Sequence, residues 1–322
     1  VPRNATGDTE QDLHAEAEKA LARWADARLV AALLAVNPTG LGGVHVQAAP
    51  SAVRDEWLRV LQHACPVDAK VRRLPSHADE SRLLGGLDLS ATLHSGRPVL
   101  QSGLLSELDG GLLLCPMAER MPRRVVAFLS QALDRGQLRV ERDGMGLDVP
   151  TRFAVVALDE SVPDNDEHRL EPALRERLAF VLTLQAQDWR GGGLSPLEAQ
   201  TDAPWDADEV EQLQAARLGL AHIDVPDAVV AALVQAADAL GVESVRAPWW
   251  ALQTARTLAA LRGLNTPGAE EVRDAARLVL GPRATRLPAP PPADAEDDTY
   301  TPESASSSPH DEPEPLPQQA TD

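Results

Sequence analysis

Between Gly110 and Pro116 lies an uninterrupted apolar run, Gly111-Leu112-Leu113-Leu114-Cys115. A run this short, opened by a Gly-Gly turn and closed by proline, fits a strand buried on both faces. Such strands belong to parallel sheets covered by helices. The flanking sequence agrees. Val44-His45-Val46-Gln47 and Arg152–Asp159 read as further strands, and Val71–Pro75 as an edge strand. Leu13–Val36, Val53–His63 and Arg120–Arg135 carry apolar residues at helical spacing, the last with Gly136 as its stop. Leu138–Glu141 and Leu147–Pro150 predict a hairpin around Asp143-Gly144. Strands alternating with helices predict an α/β fold with a parallel sheet and right-handed crossovers. Trp205–Leu220, Pro226–Leu240, Val245–Leu261 and Ala269–Leu280 then form four helical patterns, a small helical unit.

The end of the Leu112–Cys115 strand limits the chemistry. In a nucleotide-hydrolysing α/β domain such a strand ends in Asp-Glu, the Asp holding Mg²⁺ and the Glu polarising water. Here the residues are Cys115 and Pro116. A thiol is a poor ligand for a hard cation, and proline takes no proton. Phe153–Glu160 (FAVVALDE) offers a rival strand ending in Asp159-Glu160. Asn37–Gly43 is glycine-rich, but it precedes its strand, whereas a phosphate loop follows a strand and opens a helix. Ala48–Glu56 occupies that place and contains no glycine. Its bland reading is a helix start, with Pro50 and Ser51 as turn and cap.

Several segments, in order, carry a family resemblance: Arg82–Pro98 (RLLGGLDLSATLHSGRP), Gly103–Arg120, Leu133–Asp143, Arg152–Glu160 and Leu170–Phe180 (LEPALRERLAF). Together the sequence from about Trp24 to Arg283 resembles the AAA+ domain of the D subunit of magnesium chelatase. The resemblance implies a five-stranded parallel αβα domain with a small helical lid. The expected layout is a flexible N-terminus (1–12), an αβ core (13–200), a lid (201–286) and an acidic Pro-rich disordered linker (287–322). Arg82–Gly103 would be the insert of this branch, with a hairpin-like Thr92–Pro98. Inserts of this type project toward a pore or a partner, although Leu87, Leu89 and Leu93 are expected to pack on their own domain.

The resemblance also assigns positions. ATP-binding members read GxxxxGK[ST] at the loop; here Arg54 stands at the Lys position and Asp55 at the Ser/Thr position. Glycines let backbone N–H groups wrap phosphates and Lys neutralises them, so this site is degenerate. Cys115 and Pro116 stand at the degenerate Walker B position, and Asp159 at sensor 1. Arg177 occupies the arginine-finger position, acting in trans on a neighbour's γ-phosphate, with Arg175 as fallback. The alternative for Arg177 is a surface ion pair with Glu171 or Glu176. Arg246, in Ser244-Val245-Arg246, matches sensor 2, which touches the phosphate of its own subunit; a relic or a salt bridge is the alternative.

Composition bounds the rest. The chain has 322 residues, and 43% hydrophobic content suffices for a core, which 3% aromatic content leaves to Leu, Val and Ala. Formal net charge is −19; nine of the 49 acids follow Pro288, where there is no Lys or Arg. An acidic chain without a basic stripe argues against nucleic acid as partner. No apolar run reaches bilayer length, and the N-terminus lacks a signal-peptide core. Two cysteines, Cys65 and Cys115, fit a reducing compartment, so a cytoplasmic location is expected. The His and Cys residues show no ligand spacing, so no metal site is expected. The Pro-rich acidic tail cannot bury enough surface to offset ordering entropy. In D subunits an integrin-I-type domain follows, whose Asp-x-Ser-x-Ser motif these residues do not contain.

The resemblance implies a non-hydrolysing platform that binds no cofactor tightly, within a ligase-class complex that uses ATP and Mg²⁺. Its partners would be an I-type AAA+ ATPase and an H-type porphyrin-binding subunit, in a two-tier hexameric ring. The complex would insert Mg²⁺ into protoporphyrin IX for chlorophyll and bacteriochlorophyll biosynthesis. Two rivals remain: an active ATPase of the MoxR or I-subunit kind, and a pure adaptor without an arginine finger.

Overall fold

Five strands form one parallel sheet: β1 (Gly43–Gln47), β2 (Val71–Arg73), β5 (Leu112–Cys115), β8 (Ala154–Asp159) and β9 (Phe180–Thr183), in the order β2-β5-β8-β1-β9. The computed structural model describes residues 5–75, 80–97, 99–142, 145–161, 169–185 and 204–286. The expected linker, 287–322, lies outside them.

The apolar runs are continuous because both faces of the sheet are covered. Val44, Val46, Leu112, Val156, Leu158 and Phe180 join one core with the helix Ala52–Ala64 and the C-terminal helices. Leu113, Cys115, Val155 and Ala157 join a second core with the helix Arg123–Arg135. Gly136 ends that helix at φ 64, as the sequence predicts. β1 starts at Gly43, with φ 138, where a Cβ would come within 1.9 Å of the Val155 carbonyl oxygen. That close approach explains why the glycines stand before the strand.

The long helix Ala5–Val36 begins inside the stretch expected to be flexible, 1–12, of which residues 1–4 lie outside the described set. Trp57 donates its indole N–H to Ala27 at 2.8 Å, fixing this helix on Ala52–Ala64. Arg28 lies 4.3 Å over the Trp205 ring and donates to Glu209 at 2.6 Å. The same helix therefore packs on both the sheet layer and the C-terminal helices, which share one core.

The four expected C-terminal helices are Ala207–Gly219, Asp227–Ala239, Ala247–Leu261 and Ala269–Ala275, the last continuing to Leu280 as a π-turn. Asp206 and Glu209 form a capping box, and Pro226 starts the second helix. β6 (Gln137–Arg142) and β7 (Met145–Pro150) form the expected antiparallel pair.

The insert corrects one expectation. Thr92–Pro98 is not hairpin-like: Thr92 to Ser95 end a helix, Leu89–Ser95, capped by the Asp88 side chain and by Gly96 at φ 63. The antiparallel pair lies outside it, between β3 (Gly85–Leu87) and β4 (Leu100–Ser102). Leu93 is 83% exposed rather than packed on its own domain. The side chains of Leu87 and Leu89 fall outside the described set.

Candidate functional site

Parallel α/β sheets bind ligands outside the carboxyl ends of their strands, where strand order reverses. Here that point lies at the ends of β1 and β8. Ser51 caps the helix after β1, its Oγ accepting from the Arg54 N–H. Arg54 then turns to the neighbouring strand: its Nη1 donates to Glu160 Oε1 at 2.7 Å, with the Arg54 side chain only 12% exposed. Arg54, expected at the phosphate-lysine position, is thus paired with the chain's own carboxylate. Asp55 stays exposed beside it and would repel a phosphate.

β8 lies between β1 and β5, so FAVVALDE does not take the place of the Leu112–Cys115 strand. Asp159 at its end is buried. One carboxylate oxygen accepts from His45 Nε2 at 2.7 Å and the other from the Ser161 N–H at 2.9 Å. Burial raises its pKa, but the His45 and Ser161 hydrogen bonds outweigh this and hold it below the usual carboxylate range. Both oxygens of Asp159 are thus engaged within the chain itself.

At the end of β5, burial pushes the Cys115 thiol far up, so it stays protonated and inert. Beyond it, Leu74, Pro116, Met117, Met121, Pro122 and Val125 line a small groove of about 80 Å³. Met117 holds a left-handed backbone, φ 48, which is uncommon for a side chain of its size. The acid nearest this groove is Glu119, not singled out from the sequence. It is buried and accepts from the Glu160 N–H at 3.2 Å. Only its position on the turn after the strand could have flagged it. Among the described residues at the helix start after β1 there is no glycine cradle, Arg54 is engaged by Glu160 and the exposed carboxylate is Asp55, a poor fit for a triphosphate with Mg²⁺.

The opposite edge carries the other predicted arginines. The Arg177 carbonyl lies 2.2 Å from where a Cβ on Gly42 would stand, just before β1 begins. A five-residue strand separates this edge from Arg54 by about 16 Å. Arg177 donates Nε to Asp134 Oδ1 at 3.0 Å and Nη2 to Asp134 Oδ2, while Nη1 donates to the Ala173 carbonyl. Its carboxylate partner is thus Asp134, not Glu171 or Glu176 as the ion-pair alternative anticipated. Glu171 faces Arg123 and Glu176 accepts from the Ser244 hydroxyl, so both have other neighbours.

Arg246 Nη1 reaches the same Asp134 Oδ1 at 2.9 Å. Arg246 is thus placed with Arg177 and not with Arg54, so the two residues of the expected degenerate nucleotide site are not brought together. Burial raises the Asp134 pKa, but the two arginines outweigh it and the net direction is down. Arg175 is exposed and makes no ion pair among the described residues. It lines a cleft of about 400 Å³ with His45, Gln47, Glu176, Ser244 and Arg283. Among the described residues no cluster of three or more His, Cys, Asp or Glu could hold a metal ion.

A model of the AAA lid domain matches residues 230–303. A solved structure from Cytophaga hutchinsonii, provisionally described as an ATPase, superposes with a TM-score of 0.54 over 84% of this chain and 86% of that one, at 15% identity. The fold is an AAA+ fold. The magnesium-chelatase 60 kDa subunit of Rhodobacter capsulatus is 35% identical over 81% of this chain and 41% of its own length. The magnesium-chelatase 38 kDa subunit of the same organism is 27% identical over 81% of this chain and 77% of its own. This chain spans about two-fifths of the 60 kDa relative it matches. Among the described residues no single helix is long and apolar enough to cross a membrane.

Proposed function

We propose that this chain is the AAA+ part of a magnesium-chelatase platform subunit, one that supports ATP-dependent Mg²⁺ insertion into protoporphyrin IX without hydrolysing ATP. The observation that carries the reading is the Arg54–Glu160 ion pair at the phosphate-lysine position, together with Cys115 and Pro116 where a magnesium carboxylate would stand. The likeness to the 60 kDa subunit supports the complex, and the likeness to the 38 kDa subunit supports an AAA+ ATPase partner of that kind. An H-type porphyrin-binding subunit and a two-tier hexameric ring complete the assembly, which works in the cytoplasm. ATP and Mg²⁺ are used by that assembly and are not held tightly by this chain. Residues 287–322 serve as its acidic linker.

Arg177 acts in trans on the nucleotide of the ATPase partner, with Arg246 beside it. A fixed, planar, always-charged donor suits the charge that develops on a transferring phosphoryl group. Arg175 is the fallback, being exposed on the same segment.

Titration calorimetry of the chain with ATP and Mg²⁺ tests the degenerate site. No heat of binding at micromolar protein is expected. Tight stoichiometric binding would instead favour an active ATPase of the 38 kDa kind. Electron microscopy of the chain mixed with such an ATPase and ATP tests the assembly, with a two-tier ring as the expected particle.

A further inference from the structure

We infer that Asp134 is a latch: its carboxylate occupies the donors of Arg177 and Arg246 in place of a partner's phosphate, and it must release them when the partner binds nucleotide. The inference rests on the trans role of Arg177 proposed above and names the residue that regulates it.

The geometry points to exchange rather than simple support. Arg177 has a donor row of Nε and Nη2, and both face Asp134. Its remaining nitrogen, Nη1, is bound to the Ala173 carbonyl. The side-on fork of Nε and Nη2 is therefore taken, and an oxyanion could use it only after Asp134 lets go. The arrangement is the bidentate fork that arginine also makes with phosphate. Arg246 adds a second guanidinium to one of the same two oxygens. Two cations on one carboxylate form the charge pattern that a phosphate oxygen would meet.

The position suits a reversible device. Asp134 lies one residue from the end of the helix Arg123–Arg135, Arg177 lies just before β9, and Arg246 opens the helix Ala247–Leu261. Three separate elements are therefore joined through one side chain. That side chain is 31% exposed, with Arg177 at 18% and Arg246 at 43%. An ion pair in contact with water is weak enough to be traded for a doubly charged phosphate group.

The test measures ATP hydrolysis by the partner ATPase mixed with this chain, for wild type, Asp134→Asn, Asp134→Glu, Arg177→Ala and the double variant Asp134→Asn/Arg177→Ala. Asparagine keeps the shape and removes the charge. Removing the competing carboxylate should lower the KM for ATP about three- to fivefold with little change in kcat. Asp134→Glu, which restores the charge, should return KM toward wild type. The double variant should match Arg177→Ala alone, because Arg177 is the arginine assigned to the partner's nucleotide and Arg246 only shares its carboxylate.

A rise in KM, or a fall in kcat like that of Arg177→Ala, would mean Asp134 positions the arginines and the latch is wrong. Persistence of the Asp134→Asn effect without Arg177 would overturn it as well. If Arg177→Ala itself changes nothing, the trans role fails first and the latch with it. If Arg177→Ala matters but Asp134→Asn leaves KM unchanged, only the latch fails. Thermal melts of each variant separate these results from loss of folding, since a merely structural role would move Tm without splitting KM from kcat.

Discussion

Arg54 and Arg177, the two arginines proposed to stand where an AAA+ protein meets phosphate, have different surroundings and so different prospects. Arg54 is largely buried against Glu160, and freeing it would leave a carboxylate unpaired beside Asp55 and Asp159. Arg177 is held by a half-exposed carboxylate at the other edge. Substituting Arg177→Ala should therefore depress the partner's ATPase or the overall chelation rate by at least about tenfold, a small part of what trans arginines contribute elsewhere. Arg54→Ala should leave that rate nearly unchanged, and parallel rate assays separate the two.

The acids also set a pH dependence. Asp134, Asp159, Glu271 and Asp274 all have pKa values lowered in the folded chain; each is pushed up by burial and brought down further by hydrogen bonds, mostly from arginines. A carboxylate depressed on folding contributes stability that is fully present above its unfolded value, about 4, and is lost as pH falls through the folded value. The urea midpoint should hold from pH 7 to 5 and fall below pH 4. Asp159→Asn, which spoils the buried His45 pair, should cost about 2 kcal/mol at pH 7 and flatten the acid limb.

At the scale of elements, the strand and helix starts do most of the positioning. Gly43 meets the Val155 carbonyl with no room for a methyl group and holds φ 138. Gly43→Ala should destabilise the chain by about 2–4 kcal/mol, read from denaturant midpoints. Ser51→Ala removes one cap bond from the helix after β1 and should cost about 1 kcal/mol. Most elements were legible because each carries its own period and stop signal. The Leu112–Cys115 strand has its Gly-Gly turn, Arg123–Arg135 has Gly136, and Ala207–Gly219 has the Asp206–Glu209 box. The insert was misread for the same reason inverted. Thr92–Pro98 contains Ser-Gly and Pro, which suggest a turn between strands, but Asp88 supplies a cap that the turn signals hid.

For the whole molecule, the helix Ala5–Val36 joins the sheet layer to the C-terminal helices through Trp57, Trp205 and Arg28. Trp57 is fully buried, and Trp57→Ala should cost about 3–5 kcal/mol and shift one cooperative melt rather than split it, because one core spans both parts. A chain ending at Leu287 should melt at the same temperature as the full chain, since the residues after it are rich in Pro and acid and poor in apolar groups.

The sequence by itself determined the parallel α/β scaffold, its helical addition and the lack of glycine and lysine in the loop after β1. Those features depend on local periodicity and on which side chains exist at all: a missing lysine, glycine or carboxylate needs no coordinates to be missed. Only the tertiary structure decided where the remaining charges go. Arg54 and Glu160 are 106 positions apart, and Arg246 and Asp134 are 112, so nothing in the local pattern links them. Folding sets which strand ends lie side by side, and electrostatic pairing acts over a few ångströms of space, not along the chain.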